Sequence, residues 1–180
     1  MSSIYIALLR GINVGGNNVI PMKELAALLA SIGFENVRTY IQSGNIVFET
    51  DSTGEESIRR NISEVIDKRF GVQVPVVLRS AKQLGEVAAN NPFLKAGEDE
   101  KSLHVAFLAD LPGKPHLAAL DPDRSPPDRF KVHGRDVYLH FPNGTARSRL
   151  TNDYFDRTLK TTSTIRNWRT VLTLLEMVGG

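Results

Sequence analysis

The chain has 180 residues, 41% of them hydrophobic and 23% charged, the proportions of an ordinary globular protein, which excludes wholesale disorder. It contains no cysteine, so disulfides, thiolate nucleophiles and cysteine-held metal clusters are excluded as well. The net charge of +2 hides a split, because residues 1–123 carry 12 Lys/Arg against 15 Asp/Glu and residues 124–180 carry 10 against 5; this basic excess points to an anionic partner for the C-terminal part.

Residues 4–10 (IYIALLR) form a short apolar run of strand length, expected to be buried on both faces. A loop rich in Gly and Asn follows over 11–20. Pro21 then suits the first turn of a helix, where its missing N–H has no intrahelical acceptor. Leu25, Leu28, Leu29 and Ile32 recur at helical spacing, and Gly33 is placed to end that helix. Residues 37–41 and 46–50 are β-rich runs around a turn at Ser43 and Gly44, which predicts a hairpin. Ile58, Ile62, Val65 and Ile66 mark a second amphipathic helix that ends near Gly71. Residues 74–79 (VPVVLR) give a fourth strand, and Pro75 near its start favours a sheet edge. The order βαββαβ is the split βαβ pattern of ferredoxin-like folds.

The second half repeats that order loosely. It predicts a helix at about 81–90, a strand at 103–109, a short helix at 114–120, a hairpin of 129–132 with 137–141, and two closing helices at about 152–159 and 164–177. Helices thus stand where a fourth strand would complete the pattern. The proline-rich stretch 121–128 (DPDRSPPD) is read as an internal loop, since a hairpin follows directly. The expected fold class is α+β, with two ferredoxin-like, βαββαβ-type subdomains built on antiparallel sheets. Their expected bounds are 1–80 and 81–180, the second less regular and closed by C-terminal helices.

In such a sheet the first and second strands run the same way on either side of the third, so the loop after one and the turn after the other leave by the same end. That juxtaposition makes Arg10, Asn13, Gly15, Gly16, Gln42, Ser43 and Asn45 the candidate ligand-binding residues. The glycines let backbone approach a ligand closely, and the neighbouring helix N-terminus favours an anion. The bland alternative is that the glycines serve tight turns and the amides satisfy loop backbone. GINVGG is not G-x-G-x-x-G, and no Gly-Lys-Ser/Thr is present, so neither standard nucleotide-phosphate loop is expected.

A second, basic cluster consists of Arg147, Arg149, Arg166 and Arg169. On a closing helix, Arg166, Arg169 and Thr170 fall at i, i+3 and i+4, opposite an apolar stripe of Ile165, Trp168, Leu172 and Leu175 that assigns Trp168 to the core. The arginines are either an anion-binding face or solvated helix residues. His104, His116, His133 and His140 lack metal-ligand spacing. No serine lies in a G-x-S-x-G elbow, and no histidine or carboxylate stands near Ser43 in sequence to activate it. Neither a metal nor a cofactor is expected.

ALLRGINVGG (7–16), the helix beginning PMKEL (21–25), TYIQSGNIVF (39–48), NPF (91–93) and TIRNWRT (164–170) resemble a widespread bacterial family catalogued as a conserved domain of unknown function. The resemblance implies that Arg10, Asn13, Gln42, Ser43, Asn45, Arg166, Asn167 and Trp168 hold the family's characteristic polar positions. Arg149 and Arg169 depart from it, standing where a lysine and a second asparagine are more usual.

Three readings of function follow. The leading one is a binding protein for an anionic ligand, either a small molecule or one related to nucleic acid. The second is a metal-independent enzyme acting on a phosphorylated or carboxylated metabolite. The third is a structural or oligomerisation module that pairs through exposed sheet edges. Nucleic acid has the weaker support, because the central strands offer only Tyr5 and Phe48 where RNA-recognition sheets carry several aromatics. No apolar run reaches the roughly 20 residues of a membrane span, and the N-terminal stretch lacks the basic start and the cleavage site of a signal peptide. The protein is therefore expected to be cytoplasmic, without membrane association, as a monomer or homodimer.

Overall fold

The computed structural model describes residues 1–179. The chain divides into two compact units: Met1–Gly85 joined by the stretch from Leu174 onward, and Glu86–Thr173. Among the described residues no helix is long and apolar enough to cross a membrane.

The first unit runs β1 (Ser3–Leu9), α1 (Met22–Ser31), β2 (Glu35–Tyr40), β3 (Asn45–Thr50), α2 (Glu55–Phe70) and β4 (Val76–Ser80), from which α3 (Ala81–Ala89) departs. Its sheet has the order β2-β3-β1-β4 with every neighbour antiparallel. Ala7, Leu9, Ile46, Phe48 and Leu78 face the helices and pack with Leu25 and Leu29 of α1 and Ile58, Ile62 and Ile66 of α2. Ile6, Leu8, Val47 and Val77, on the other face, are buried as well. Burial on both faces is what the unbroken apolar run of β1 demands, since alternation would have left one side wet. The proline immediately before β4 sits at the entrance of an edge strand, where no ladder hydrogen bond is lost.

The second unit contains α4 (Pro92–Lys95), β5 (Leu103–Leu108), α5 (Lys114–Ala118), β6 (Arg129–His133), β7 (Asp136–His140), α6 (Asn152–Leu159) and β8 (Ser163–Asn167), followed by α7 (Trp168–Gly179). The order β6-β7-β5-β8 repeats that of the first sheet. The α+β class with two four-stranded antiparallel sheets holds, with one correction. Residues 164–167, expected to open the last helix, belong instead to the missing fourth strand, Ser163–Asn167, paired with β5 from His104↔Asn167 to Leu108↔Ser163. The hydroxyl-bearing and β-branched run Ser163-Thr-Ile suits a strand better than a helix. The end of α6 sets its entry: Lys160 turns left-handed at φ 55°, and Ser163 donates its N–H to Asp156 Oδ1 at 2.7 Å. The apparent helical spacing of Ile165 and Trp168 spans a strand–helix junction, and the buried stripe of α7 is Trp168, Val171 and Leu174.

The repeat extends to single residues. Ser80 ends β4 and forms a reciprocal cap with Gln83, its Oγ accepting from Gln83 N–H at 3.2 Å while its own N–H donates to Gln83 Oε1 at 2.8 Å. Asn167 ends β8 and accepts from Thr170 N–H at 2.9 Å, which starts α7 at Trp168. One residue earlier stand Arg79, opposite Ile6, and Arg166, opposite Val105. Both are buried. Each guanidinium folds back on the carbonyl of the preceding residue, Arg79 on Leu78 at 2.8 Å and Arg166 on Ile165 at 3.2 Å. Burial pulls the Arg166 guanidinium down to about 10.

His104 in β5 contacts the Phe141 ring edge-on at 5.0 Å, and its Nδ1 is buried without a hydrogen-bond partner. Burial lowers its pKa, and the attraction of the ring N–H for the Ser102 backbone carbonyl offsets this only in part. A depressed folded pKa means that the unfolded chain binds the proton more tightly, so acid favours unfolding. The His104 contribution should be intact above about pH 6.5 and decline as pH falls below it. Denaturant unfolding of wild type and His104→Phe from about pH 8 to 5 should therefore show a shallower loss in the variant.

Candidate functional site

β1 and β2 run parallel to each other on either side of β3, so both end at the same edge of the sheet. There the loop after β1 and the turn after β2 are joined. Leu9 N–H donates to Gly44 O at 2.8 Å, and Arg10 N–H donates to Pro75 O at 3.1 Å, which brings in the segment before β4. Asn13 fastens the loop. Its Nδ2 donates to Ile20 O at 3.0 Å and to Gln42 O at 2.8 Å, while its Oδ1 accepts from Ile20 N–H at 2.8 Å. Its φ of 54° is left-handed, a conformation that asparagine tolerates better than most residues. Asn45 is fully buried and donates from Nδ2 to Tyr40 O and Ser43 Oγ, each at 3.0 Å.

The side chains of Asn13 and Asn45 thus hold the loop and the turn in place, with Gln42 O and Ser43 Oγ among their acceptors. Gly15, Gly16 and Gln42 are exposed, while Arg10 and Ser43 are partly buried. Three apolar residues also lie open here: Val14 at 62%, Val19 at 65% and Ile41 at 51% exposure. Ile41 is β-branched yet left-handed at φ 50°, a strained conformation. Sequence reasoning missed Arg59 and Arg60 of α2. They line a cleft of about 380 Å³ with Val74, Pro75 and Val76, and Pro75 is the residue that accepts from Arg10 N–H. Glu56 and Glu64 lie in the same cleft.

Replacing Asn13 by alanine should strand the buried Ile20 N–H and cost about 1–3 kcal/mol. Urea denaturation reads that loss, and hydrogen exchange at the Ile20 amide should accelerate.

The second unit supplies an internal control. Leu108 N–H donates to Arg135 O and Ala109 N–H to Thr162 O, both at 2.8 Å, in the places of Leu9 and Arg10. Here the loop between strand and helix is only residues 109–113, against 10–21 in the first unit, and alanine replaces Arg10.

The basic cluster is reorganised. Arg166 belongs to β8 and is buried, its Nη1 donating to Thr164 Oγ1 at 2.6 Å. It therefore shares no helix face with Arg169 and Thr170. Arg147, Arg149 and Arg169 are exposed. Because β7 and β8 flank β5 and both run antiparallel to it, they finish at the same end of the second sheet, where the loop holding Arg147 and Arg149 and the start of α7 leave it. His140 is buried between Arg129 and Glu98, its Nδ1 3.1 Å from Arg129 Nη2 and its Nε2 3.4 Å from Glu98 Oε2. Among the described residues no three His, Asp or Glu side chains converge as a metal site.

Over residues 2–138 the chain matches the family described as Protein of unknown function (DUF1697). It belongs to that family. The match takes in the whole first sheet and reaches into β7; the TIRNWRT stretch lies beyond it. The conserved bacterial protein SP0830 from Streptococcus pneumoniae is similar in structure, with a TM-score of 0.67 at 20% identity, covering 98% of this chain and 99% of its own. At that identity the likeness carries the fold alone. Among curated proteins none matches significantly. The DUF1697 match assigns no function, so the chemistry must be argued from the side chains.

Proposed function

We propose that this DUF1697 protein binds a small organic anion with an apolar body at the Arg10 end of its first sheet. The observation that carries the reading is the asymmetry between two otherwise matching units: only the first has the long loop fastened by Asn13, and only the first has an arginine at the root of that loop. Arg10 is the only charged residue within 10–18 and 42–45, so it is the natural anchor for a carboxylate or phosphate. Arg59 and Arg60 add positive charge along the adjoining cleft, offset in part by Glu56 and Glu64. The open glycines allow close approach of backbone N–H groups, and Val14, Val19 and Ile41 offer apolar contact that inorganic phosphate does not use.

Nucleic acid is the less favoured ligand. Tyr5 and Phe48 stack on each other at 6.1 Å on the helix-covered face, and Phe48 is fully buried. That face offers no platform on which bases stack.

Thermal-shift titration with branched and aromatic carboxylates and their phosphorylated counterparts tests the reading. At a hundredfold excess over Kd, binding adds about 2.7 kcal/mol to stability. At least one organic anion should raise Tm saturably, and Arg10→Ala should abolish that rise while itself costing about 1 kcal/mol or less. A loss of about 3–5 kcal/mol in Arg10→Ala would make the arginine a structural residue instead. Steeply salt-dependent binding of mixed oligonucleotides would favour nucleic acid.

A further inference from the structure

The second unit carries an open strand edge of defined chemistry. β6 is the outermost strand of its sheet and pairs only with β7. Its two-residue turn at Gly134 and Arg135 makes His133 and Asp136 the closing hydrogen-bonded pair. The alternation of an antiparallel ladder then points the N–H and C=O groups of Phe130 and Val132 away from β7. Among the described residues nothing donates to or accepts from those outward groups.

The two faces of this edge differ. On the helix side, Phe130 and Val132 border an apolar groove of about 540 Å³ walled by Leu111, Pro112, Leu117 and Leu120. On the opposite side, the exposed Lys131 and His133 stand over a hollow of about 250 Å³ shared with Asn90, Pro92 and Tyr138. Arg129, on that same side, is already held by Glu98 at 2.7 Å. Asp136, across the ladder from His133, is only partly exposed and leaves Lys131 as the main charge of the edge.

We propose that β6 receives an extended peptide of another protein as a fifth strand, with apolar residues facing the groove and acidic residues at the alternate positions facing Lys131 and His133. Main-chain hydrogen bonds to Phe130 and Val132 supply the attachment, and the two-residue period of a strand supplies the alternation. Charge argues against a second copy of this chain as the occupant. Two β6 strands paired antiparallel about Lys131 would set that ammonium directly against its own copy, a like-charge pair.

Fluorescence anisotropy of the full chain with a labelled Val-Glu-Val-Glu-Val-Glu-Val peptide tests the proposal, with the lysine-for-glutamate peptide as its charge reversal. The glutamate peptide should bind with a Kd below about 1 mM, at least about tenfold tighter than the lysine peptide, and more weakly as salt is raised. Lys131→Glu should reverse that preference. Val132→Pro removes one outward N–H at an edge position where proline is tolerated, and should weaken binding by about tenfold or more; if that variant does not fold, Lys131→Glu decides alone. Equal binding of the two peptides, no binding up to about 1 mM, or an unchanged preference in Lys131→Glu would overturn the proposal. Concentration-dependent dimerisation that Val132→Pro abolishes would assign the edge to a second copy and overturn it as well.

Discussion

Trp168→Ala is expected to lose about 3–5 kcal/mol of unfolding free energy, the range for removing a large aromatic from a packed interior. The indole is 1% exposed and begins the buried stripe that continues through Val171 and Leu174. It also stands directly after Asn167, whose side chain caps the helix, so the ring is held where strand turns to helix. Its Nε1–H is buried without a hydrogen-bond partner, and an unmet buried donor carries a cost of about 1–3 kcal/mol. Trp168→Phe removes that donor together with part of the ring and should therefore lose clearly less than Trp168→Ala. Guanidinium unfolding of both variants checks the pair. A loss below about 1 kcal/mol in Trp168→Ala would show that the ring does not pack as described.

Gly44→Ala is expected to cost about 2–5 kcal/mol through two separate effects. Gly44 has φ +86°, and a Cβ there would lie 2.8 Å from both Leu9 Cβ and Ile12 Cδ1. Left-handed backbone costs a residue with a Cβ about 1–2 kcal/mol, and overpacking a closed interior adds about 1–3. Leu9 cannot yield easily, because its own N–H is bonded to Gly44 O. Gly15 offers the contrast, with φ +56° but open space around its missing side chain. Gly15→Ala should thus lose only the backbone part, about 1–2 kcal/mol. Equal losses at the two positions would contradict the close approach of β1 and the turn.

The first unit was legible in the sequence almost strand by strand. Its helices carry apolar stripes at full helical spacing and its hairpin has a glycine turn, although β2 ends at Tyr40 and leaves Ile41 in the turn, so the end shared by the Arg10 loop and the Ser43 turn follows from topology. What stayed hidden depends on tertiary partners. Ile165 and Trp168 fit a helical repeat in the linear sequence, and only the open edge of β5 makes Ser163–Asn167 a strand. Arg166 reads as a solvated helix residue until that strand buries it. Arg59 and Arg60 sit on the polar face of α2, which resembles any solvated face until Pro75 closes a cleft against it. The sequence marks Asn13 as a polar site residue, and its hydrogen bonds to Ile20 and Gln42 make it the fastening of the loop.

An organic anion bound at the Arg10 end of the first sheet must perturb the amides of the segments it touches. Backbone amide shifts of the 15N-labelled protein, followed during titration with the carboxylate and phosphate panel, read that location residue by residue. Saturable shifts confined to residues 10–18 and 42–45, and absent from Arg10→Ala, are the predicted result. Shifts that spare those two segments for every member of the panel, or that persist undiminished in Arg10→Ala, would contradict it.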